Sequence, residues 1–219
     1  MRFVVVSDSH GDRDILVQLV AQYQDQPVTM LHCGDSELTT DDPLFNQMTV
    51  VQGNMDFNGQ FPAQVVVPVA NERIFLTHGH LYGVNGDLMR LLLAAQESQA
   101  NLAFYGHTHQ LACEMHEGVL LLNPGSIAQP RGQFRDLKGT YAVVDVTPDQ
   151  YQIQYYNRRS NPFRSYTLHL NAPNSKDYPK FSSYGWSFVF ALCYNLKVAL
   201  VYWRPSDDFR CIFELIIRK

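Results

Sequence analysis

The chain has 219 residues, of which 46% are hydrophobic and 17% are charged, and its formal net charge is −4. This length allows one domain of ordinary size with an appendage, and the hydrophobic fraction argues against general disorder. The negative net charge leaves no basic footprint for nucleic acid, so we expect no nucleic acid as a structural partner.

The first predicted strand covers residues 3–6, an apolar and mostly β-branched run typical of a strand buried on both faces. It is followed by Asp8 and His10, which form a D-x-H pair. A carboxylate and an imidazole two residues apart make a half-site for Mn, Fe, Zn or Ni. Alternatively, Asp8 is a turn residue, and Asp12 caps a helix that the apolar stripe of residues 14–23 predicts.

Two further strands are predicted at residues 28–33 and 48–51. His32 lies inside the first of them, and we interpret it as a core histidine rather than a ligand. Asp35 follows a glycine at the end of that strand, where a bridging carboxylate would stand. Asn54 follows the other strand and offers a neutral carbonyl oxygen to a metal, although a Gly-Asn turn is the alternative.

A hairpin is predicted for residues 64–77, and its second strand ends in His78-Gly79-His80. A predicted helix over residues 88–95 then precedes a short apolar run and the motif Gly106-His107-Thr108-His109. In a loop after a glycine, two neutral imidazoles can converge on adjacent metal ions, each offering one nitrogen. Taken alone, this motif fits two surface histidines in a turn equally well.

Two more hairpins are predicted, within residues 111–122 and 140–157. With them, the strand pattern needed for two sheets is complete by residue 157. Between the hairpins, Asn123 and Ser126 belong to an N-P-G-S turn, which either lines the site or is purely structural.

Five predicted strand ends in succession therefore carry oxygen or imidazole ligands. Any one of them could arise by chance, but a series of five is hard to explain as turn chemistry, so we predict a dinuclear metal site. The residues are Asp8 with His10, Asp35, Asn54, His78, and His107 with His109.

In chain order, the motifs DSHG, GD, GN-x-D, HGH and GHTH resemble those of the calcineurin-like metallophosphoesterase superfamily, and within it the small phosphodiesterases of the YfcE/YsnB type. The likeness covers residues 1–170. It implies an α/β (α+β) fold, a four-layer αββα sandwich in which two β-sheets pack face to face between helices.

The resemblance also assigns seven ligands to two divalent metals. Mn²⁺ is the first choice, with Ni, Fe, Zn, Co or Mg as alternatives. The assignments are Asp8, His10 and His109 for one metal, Asn54, His78 and His107 for the other, and Asp35 as the bridge.

The implied activity is hydrolysis of a small phosphodiester by a metal-activated water, with Asp35 and Asn54 among the catalytic residues. Many members of the superfamily have GNH[DE], whose histidine is proposed to help the leaving group depart. Met55 stands at that position here, and a thioether cannot act as a general acid. His80 is the nearest replacement, and Asp56 is expected to orient a metal-binding histidine. The alternative function is a non-catalytic metal-binding scaffold or protein-interaction module on the same fold.

The predicted metallophosphoesterase domain spans residues 1–172, and residues 173–219 are a C-terminal extension of uncertain structure. Residues 186–203 hold 15 apolar residues among 18, which fits an accessory hairpin or helix, a non-native extension, or a membrane anchor. Membrane insertion is disfavoured, because Lys197 in the middle would cost about 3 kcal/mol. The apolar segment could instead drive association into a homo-oligomer.

The four cysteines contain no C-x-x-C pair, so neither a zinc ribbon nor a redox motif is predicted. No signal peptide precedes the first strand pattern. We therefore expect free thiols in a reducing cytoplasm.

Overall fold

The computed structural model describes residues 1–57, 61–69, 72–169, 189–191 and 199–201. The domain boundary predicted at residue 172 and most of the predicted extension, residues 173–219, lie outside these segments. Among the described residues, no helix is long and apolar enough to cross a membrane.

The described strands form two mixed sheets and one short pair. In chain order they are β1 (Arg2–Val6), β2 (Val28–His32), β3 (Met48–Val50), β4 (Gln64–Val69), β5 (Glu72–Thr77), β6 (Leu102–Phe104), β7 (Leu111–His116), β8 (Val119–Pro124), β9 (Thr140–Val146), β10 (Gln150–Asn157), β11 (Pro162–His169), β12 (Val189–Ala191) and β13 (Ala199–Val201).

The first sheet has the order β11-β10-β9-β1-β2-β3, and the second has the order β4-β5-β6-β8-β7. Each sheet contains three neighbouring parallel strands: β1, β2 and β3 at one side of the first sheet, and β5, β6 and β8 in the middle of the second. The carboxyl ends of each parallel set therefore meet at one edge of their sheet. β12 and β13 pair antiparallel with each other.

An aspartate accepts a backbone hydrogen bond at the start of each of the two α-helices in the described residues. In α1 (Arg13–Tyr23), Oδ1 of Asp12 accepts a hydrogen bond from the backbone N–H of Ile15, as the sequence predicts. Before α2 (Met89–Glu97), Oδ1 of Asp87 accepts from the N–H of Met89. Short 3₁₀ helices cover Pro43–Asn46, His80–Tyr82 and Gly132–Leu137.

The alternation of side chains along the strands separates three apolar layers. In β1, Phe3 and Val5 join the core that also contains Leu76 and Leu122 of the second sheet. Their neighbours on the strand, such as Val4, pack with the buried stripe of α1. The helix α2 covers the other face of the second sheet. The order helix, sheet, sheet, helix confirms the predicted four-layer αββα sandwich.

One expectation about the strands is wrong. The strand pattern does not end at residue 157, because β11 adds an antiparallel edge strand to β10. Leu168 of β11 is buried in the core between the sheets, and Phe163 and Tyr166 pack against that core. Polar residues interrupt the apolar pattern of β11, so a prediction based on apolar runs does not identify it as a strand.

Candidate metal centre

The predicted ligands stand on loops that follow the parallel strands of both sheets. Five of them have left-handed backbone conformations, at φ between 45° and 66°: Asp8, His10, Asp35, His107 and His109. A non-glycine residue in this region costs on the order of 1–3 kcal/mol, and such strain concentrates at functional sites. The loops after β1 and β2 are also joined, since the N–H of His10 donates to the carbonyl of Asp35 at 3.1 Å.

The first group of ligand atoms consists of Asp8, His10 and His109, the three residues assigned to one metal. Their ligand atoms lie within 4.8 Å of one another. Nδ1 of His10 lies 2.6 Å from Oε1 of Glu37, and Nδ1 of His109 lies 2.7 Å from the carbonyl of Gln129. Both acceptors require a proton on Nδ1, so each Nε2 keeps its lone pair for a metal. The two Nε2 atoms are 3.2 Å apart, which fits two donors facing a common cation.

The second group consists of Asp8, Asp35 and His78, all buried. Nε2 of His78 lies 3.2 Å from Oδ1 of Asp8 and 3.4 Å from Oδ2 of Asp35. Asp8 is thus the carboxylate that belongs to both groups, whereas Asp35 belongs to the second. The bridging role of Asp35 stays a prediction.

His107 and Asn54 lie beside the second group rather than within it. The ring of His107 is 5.0 Å from that of His78, but its Nε2 is 2.9 Å from Nδ2 of Asn85. Asn54 is exposed, and its neighbour Met55 donates its backbone N–H to Oδ1 of Asp35 at 2.7 Å. Both residues are at the rim of the centre, and their ligand roles remain predictions.

His80 packs against a predicted ligand. Its Nδ1 is 3.0 Å from Nδ1 of His78, so one of these two nitrogens carries the proton between them. Burial lowers the pKa of His80, and the neighbouring His78 lowers it further. A lowered pKa leaves less of the imidazolium that a general acid requires at neutral pH. The contact favours a role in orienting His78, and the general-acid role stays a prediction.

The expectation that Asp56 orients a histidine is wrong. Its two carboxylate oxygens accept from the backbone N–H groups of Asp35, Glu37 and Gly53, at 2.9, 2.7 and 2.8 Å, and from the hydroxyl of Ser36. Asp56 therefore fixes the loop that carries Asp35 against the loop that carries Asn54.

The N-P-G-S turn forms hydrogen bonds with the loops that carry Asp8 and His107. Nδ2 of Asn123 donates to the carbonyl of Gly106 at 2.7 Å, and the hydroxyl of Ser126 donates to the carbonyl of Asp8, also at 2.7 Å. Both residues are fully buried. Of the two alternatives for this turn, the structure favours a structural role that positions the loops of Asp8 and His107.

Two glycines allow the carboxylates to approach the backbone. A Cβ on Gly53 would lie 1.9 Å from Oδ1 of Asp35, and a Cβ on Gly106 would lie 2.7 Å from Oδ2 of Asp8. Any side chain at either position would collide with a predicted ligand, so the G-N and G-H motifs are required by close packing.

Burial and hydrogen bonds set the charge states of the centre. Burial acts to raise the pKa of Asp8, but the adjacent imidazoles of His109 and His78 outweigh it, so the pKa lies well below the usual range. Burial raises the pKa of Asp35 and lowers that of His107. A charged Asp8 beside a neutral His107 is a suitable mixture of donors for a divalent cation.

The histidine that was predicted to belong to the core does so. His32 is fully buried, its Nδ1 accepts from the N–H of Gly34, and its Nε2 contacts the hydroxyl of Ser9. Sequence reasoning missed Glu37, Asn85 and Gln129 as partners of the site histidines. Glu37 stands two residues after Asp35 on the same loop, and that proximity is the one signal that could have identified it.

Comparison with known proteins gives a consistent match. Residues 1–149 match the calcineurin-like phosphoesterase superfamily domain. The chain is 34% identical over 161 residues to the Bacillus subtilis (strain 168) protein named "Probable metallophosphoesterase YsnB", covering 74% of this chain and 94% of that protein.

Two solved structures illustrate the similarity of fold. A Streptococcus pneumoniae TIGR4 protein, described as a predicted phosphoesterase, has a TM-score of 0.74 and 35% identity and covers 77% of this chain and 97% of its own. The zinc complex of Vps29 from Entamoeba histolytica has a TM-score of 0.60 and 21% identity and covers 78% of this chain and 100% of its own. At that lower identity, the second likeness concerns the fold alone.

Proposed function

Because the chain belongs to the calcineurin-like phosphoesterase superfamily, we propose that it hydrolyses small phosphodiesters at a dinuclear metal centre. One observation carries this proposal. The Nε2 atoms of His10 and His109 converge with a carboxylate oxygen of Asp8, while hydrogen bonds on both Nδ1 atoms leave the Nε2 lone pairs available. Imidazole and carboxylate donors in this arrangement suit a divalent transition metal.

The proposed ligands form two sets. When bound, two divalent ions lower the pKa of a water and neutralise charge on the phosphoryl oxygens. Mn²⁺ is the proposed ion, with Ni, Fe, Zn, Co and Mg as alternatives, because mixed oxygen and imidazole donors accept all of them. The proposed sets are Asp8, His10 and His109 for one ion and Asn54, His78 and His107 for the other, with Asp35 as the proposed bridge. Asp8 also belongs to the second group of converging ligand atoms.

The chain's own residues hold these ligands in fixed orientations. Glu37 and the carbonyl of Gln129 fix the protons of His10 and His109, so the imidazoles enter the reaction already oriented. Asp56 holds the backbone of Asp35 in place. Preorganised groups of this kind need little rearrangement as charge develops, which is how electrostatic catalysis gains its advantage.

Met55 supports a diester rather than a monoester substrate. Its backbone is bonded to Asp35, so the residue lies at the centre, but its thioether cannot protonate a departing oxygen. A substrate with a good leaving group needs no such proton. We therefore place diesters with acidic leaving alcohols ahead of simple phosphomonoesters.

A non-catalytic scaffold is the second candidate, because a shared fold does not by itself establish catalysis. A scaffold has no need for a full set of ligands held in metal-binding tautomers. The hydrogen bonds that orient His10 and His109 therefore favour the enzyme.

The cytoplasm is the proposed location. Cys33 and Cys113 are thiols rather than members of a disulfide, which fits a reducing compartment.

The test is a hydrolysis panel with defined metals. Protein stripped with a chelator and then loaded with one divalent ion at a time is assayed on aryl diesters, alkyl diesters and the matching monoesters. We expect no activity without metal, the fastest aryl diester hydrolysis with Mn²⁺, and loss of activity in His109→Ala. His116→Ala, which changes a histidine paired with Glu114 on β7, is the matched control and retains activity. Undiminished activity in metal-free protein would overturn the proposal, and metal binding without any hydrolysis would favour the scaffold.

A further inference from the structure

The loop that follows β8 contacts His109 twice. The carbonyl of Gln129 accepts from Nδ1 of His109 at 2.7 Å, and the backbone N–H of Arg131 donates to the carbonyl of His109 at 2.9 Å. The hydroxyl of Ser126 fixes the start of this loop by accepting from the N–H of Gln129 at 2.7 Å. Arg131 is therefore held beside a proposed metal ligand by its backbone, and its side chain is not needed for that attachment.

The guanidinium of Arg131 is exposed, and no carboxylate of the described segments lies within ion-pair distance of it. By contrast, Arg2, Arg13 and Arg158 are each bonded to an aspartate at 2.6 to 2.8 Å. An exposed guanidinium without an acidic partner has its N–H donors available for a ligand.

Arg131 lies on the His109 side of the metal centre, because its backbone is bonded to the carbonyl of His109 and its side chain is exposed there. The remaining charges that contact the site histidines there are carboxylates, such as Asp8 and Glu37.

A phosphoryl group held at the metals would present non-bridging oxygens to this side. The planar fork of a guanidinium matches two such oxygens, and its charge complements theirs. We propose that Arg131 binds the phosphoryl group of the substrate from the His109 side of the centre. This substrate-binding role rests on the proposed function and adds to it a residue outside the set of metal ligands.

The experiment is a calorimetric titration of inorganic phosphate into the metal-loaded full chain. It compares wild type with Arg131→Ala, Arg131→Lys and Arg135→Ala. Arg135 is the matched control, since it is exposed in the next turn, Gly132–Leu137, with its charge beside Asp136 at 3.7 Å. We expect Arg131→Ala to weaken phosphate binding about tenfold, because a charge-assisted contact is lost. Arg131→Lys should be intermediate, since it keeps the charge without the fork, and Arg135→Ala should match wild type.

Metal content measured on the same samples separates binding from structure. Full metal content in Arg131→Ala, with weaker phosphate binding and a higher KM for the diester, supports the proposal. Equal phosphate binding in Arg131→Ala and Arg135→Ala overturns it, as does wild-type protein that binds no phosphate. Loss of one metal equivalent in both Arg131 variants also overturns it, because the residue would then act through His109. Absence of hydrolysis bears on the proposed function, whereas the phosphate titration bears on Arg131, so the two failures are distinguishable.

Discussion

Each imidazole at the centre can offer only one nitrogen to a metal, and the partner of the other nitrogen decides which one. For His10 that partner is Glu37, and for His109 it is the carbonyl of Gln129. These two contacts direct both Nε2 atoms toward Asp8. The imidazole nitrogen that is available to a metal is therefore set by groups outside the proposed ligand set, Glu37 and the carbonyl of Gln129.

Asp8 and Asp35 are the two candidates for the carboxylate shared by both metals. Asp8 belongs to both groups of converging ligand atoms, whereas the resemblance of the motifs predicts Asp35 as the bridge. We expect Asp8→Asn to lose both metals, since a carboxamide carries no charge to hold two cations. His10→Ala should lose one metal. Metal content after desalting measures this.

The metal content and activity of Asp35→Asn then test whether Asp35 bridges the two ions. If Asp35 serves both ions, its asparagine variant loses both metals and more activity than His10→Ala. Retention of wild-type activity and metal content in Asp35→Asn would remove Asp35 from the centre.

His32 should make the metal-free protein sensitive to acid. Burial lowers its pKa from the usual 6.5 to about 4. Between these values the unfolded chain binds a proton that the folded chain does not, so the free energy of unfolding falls as the pH falls from about 6.5 to about 4. The contribution is about 3 kcal/mol.

Urea unfolding of metal-free protein at several pH values measures this contribution. His32→Gln cannot titrate, so the difference in free energy of unfolding between wild type and variant should shrink by that amount toward low pH. A difference that stays constant across this pH range would show that His32 does not titrate on unfolding.

At the scale of elements, the strand β11 defines how much of the chain the domain needs. It pairs with β10 along its whole length and buries Leu168. A chain that ends at residue 172 keeps this strand, and we expect it to remain folded, metal-dependent and less prone to associate. A chain that ends at residue 157 loses β11, and the lost burial of Leu168 with part of Phe163 and Tyr166 should lower the melting temperature by about 10 °C.

Thermal unfolding and a diesterase assay on the two shortened chains and the full chain test this boundary. Poor metal binding or a much lower melting temperature in the chain ending at residue 172 would place the later residues within the domain. Equal stability of both shortened chains would mean that β11 is dispensable.

For the whole molecule, metal binding and folding should be linked. The ligands come from loops of both sheets, so the groups converge only in the folded chain. A ligand that binds only the folded state at 100 times its dissociation constant stabilises it by about 2.7 kcal/mol. Saturating Mn²⁺ should therefore raise the melting temperature by on the order of 5 to 10 °C over chelated protein.

His109→Ala should reduce this shift, and His116→Ala should preserve it. An unchanged melting temperature in wild-type protein at saturating metal, with metal shown to be bound, would mean that the ions also bind the unfolded chain.

The sequence by itself determined the two-sheet architecture and the identity of the candidate site. Both depend on local pattern: an apolar run such as residues 3–6 predicts a buried strand, and a polar residue after it, such as Asp8, predicts a ligand at the strand end. The family motifs then ordered these ends around one centre. The same local reading correctly placed His32 in the core, since it lies within an apolar strand.

Only the tertiary structure decided which atoms meet. Glu37 reaches His10 across 27 positions, Ser126 reaches Asp8 across 118, and Asp56 supports Asp35 rather than a histidine. Such contacts depend on how separate loops approach one another when two sheets pack, and no spacing along the chain encodes that distance. The edge strand β11 was missed for a related reason, because its place is fixed by pairing with β10 and not by its own apolar pattern.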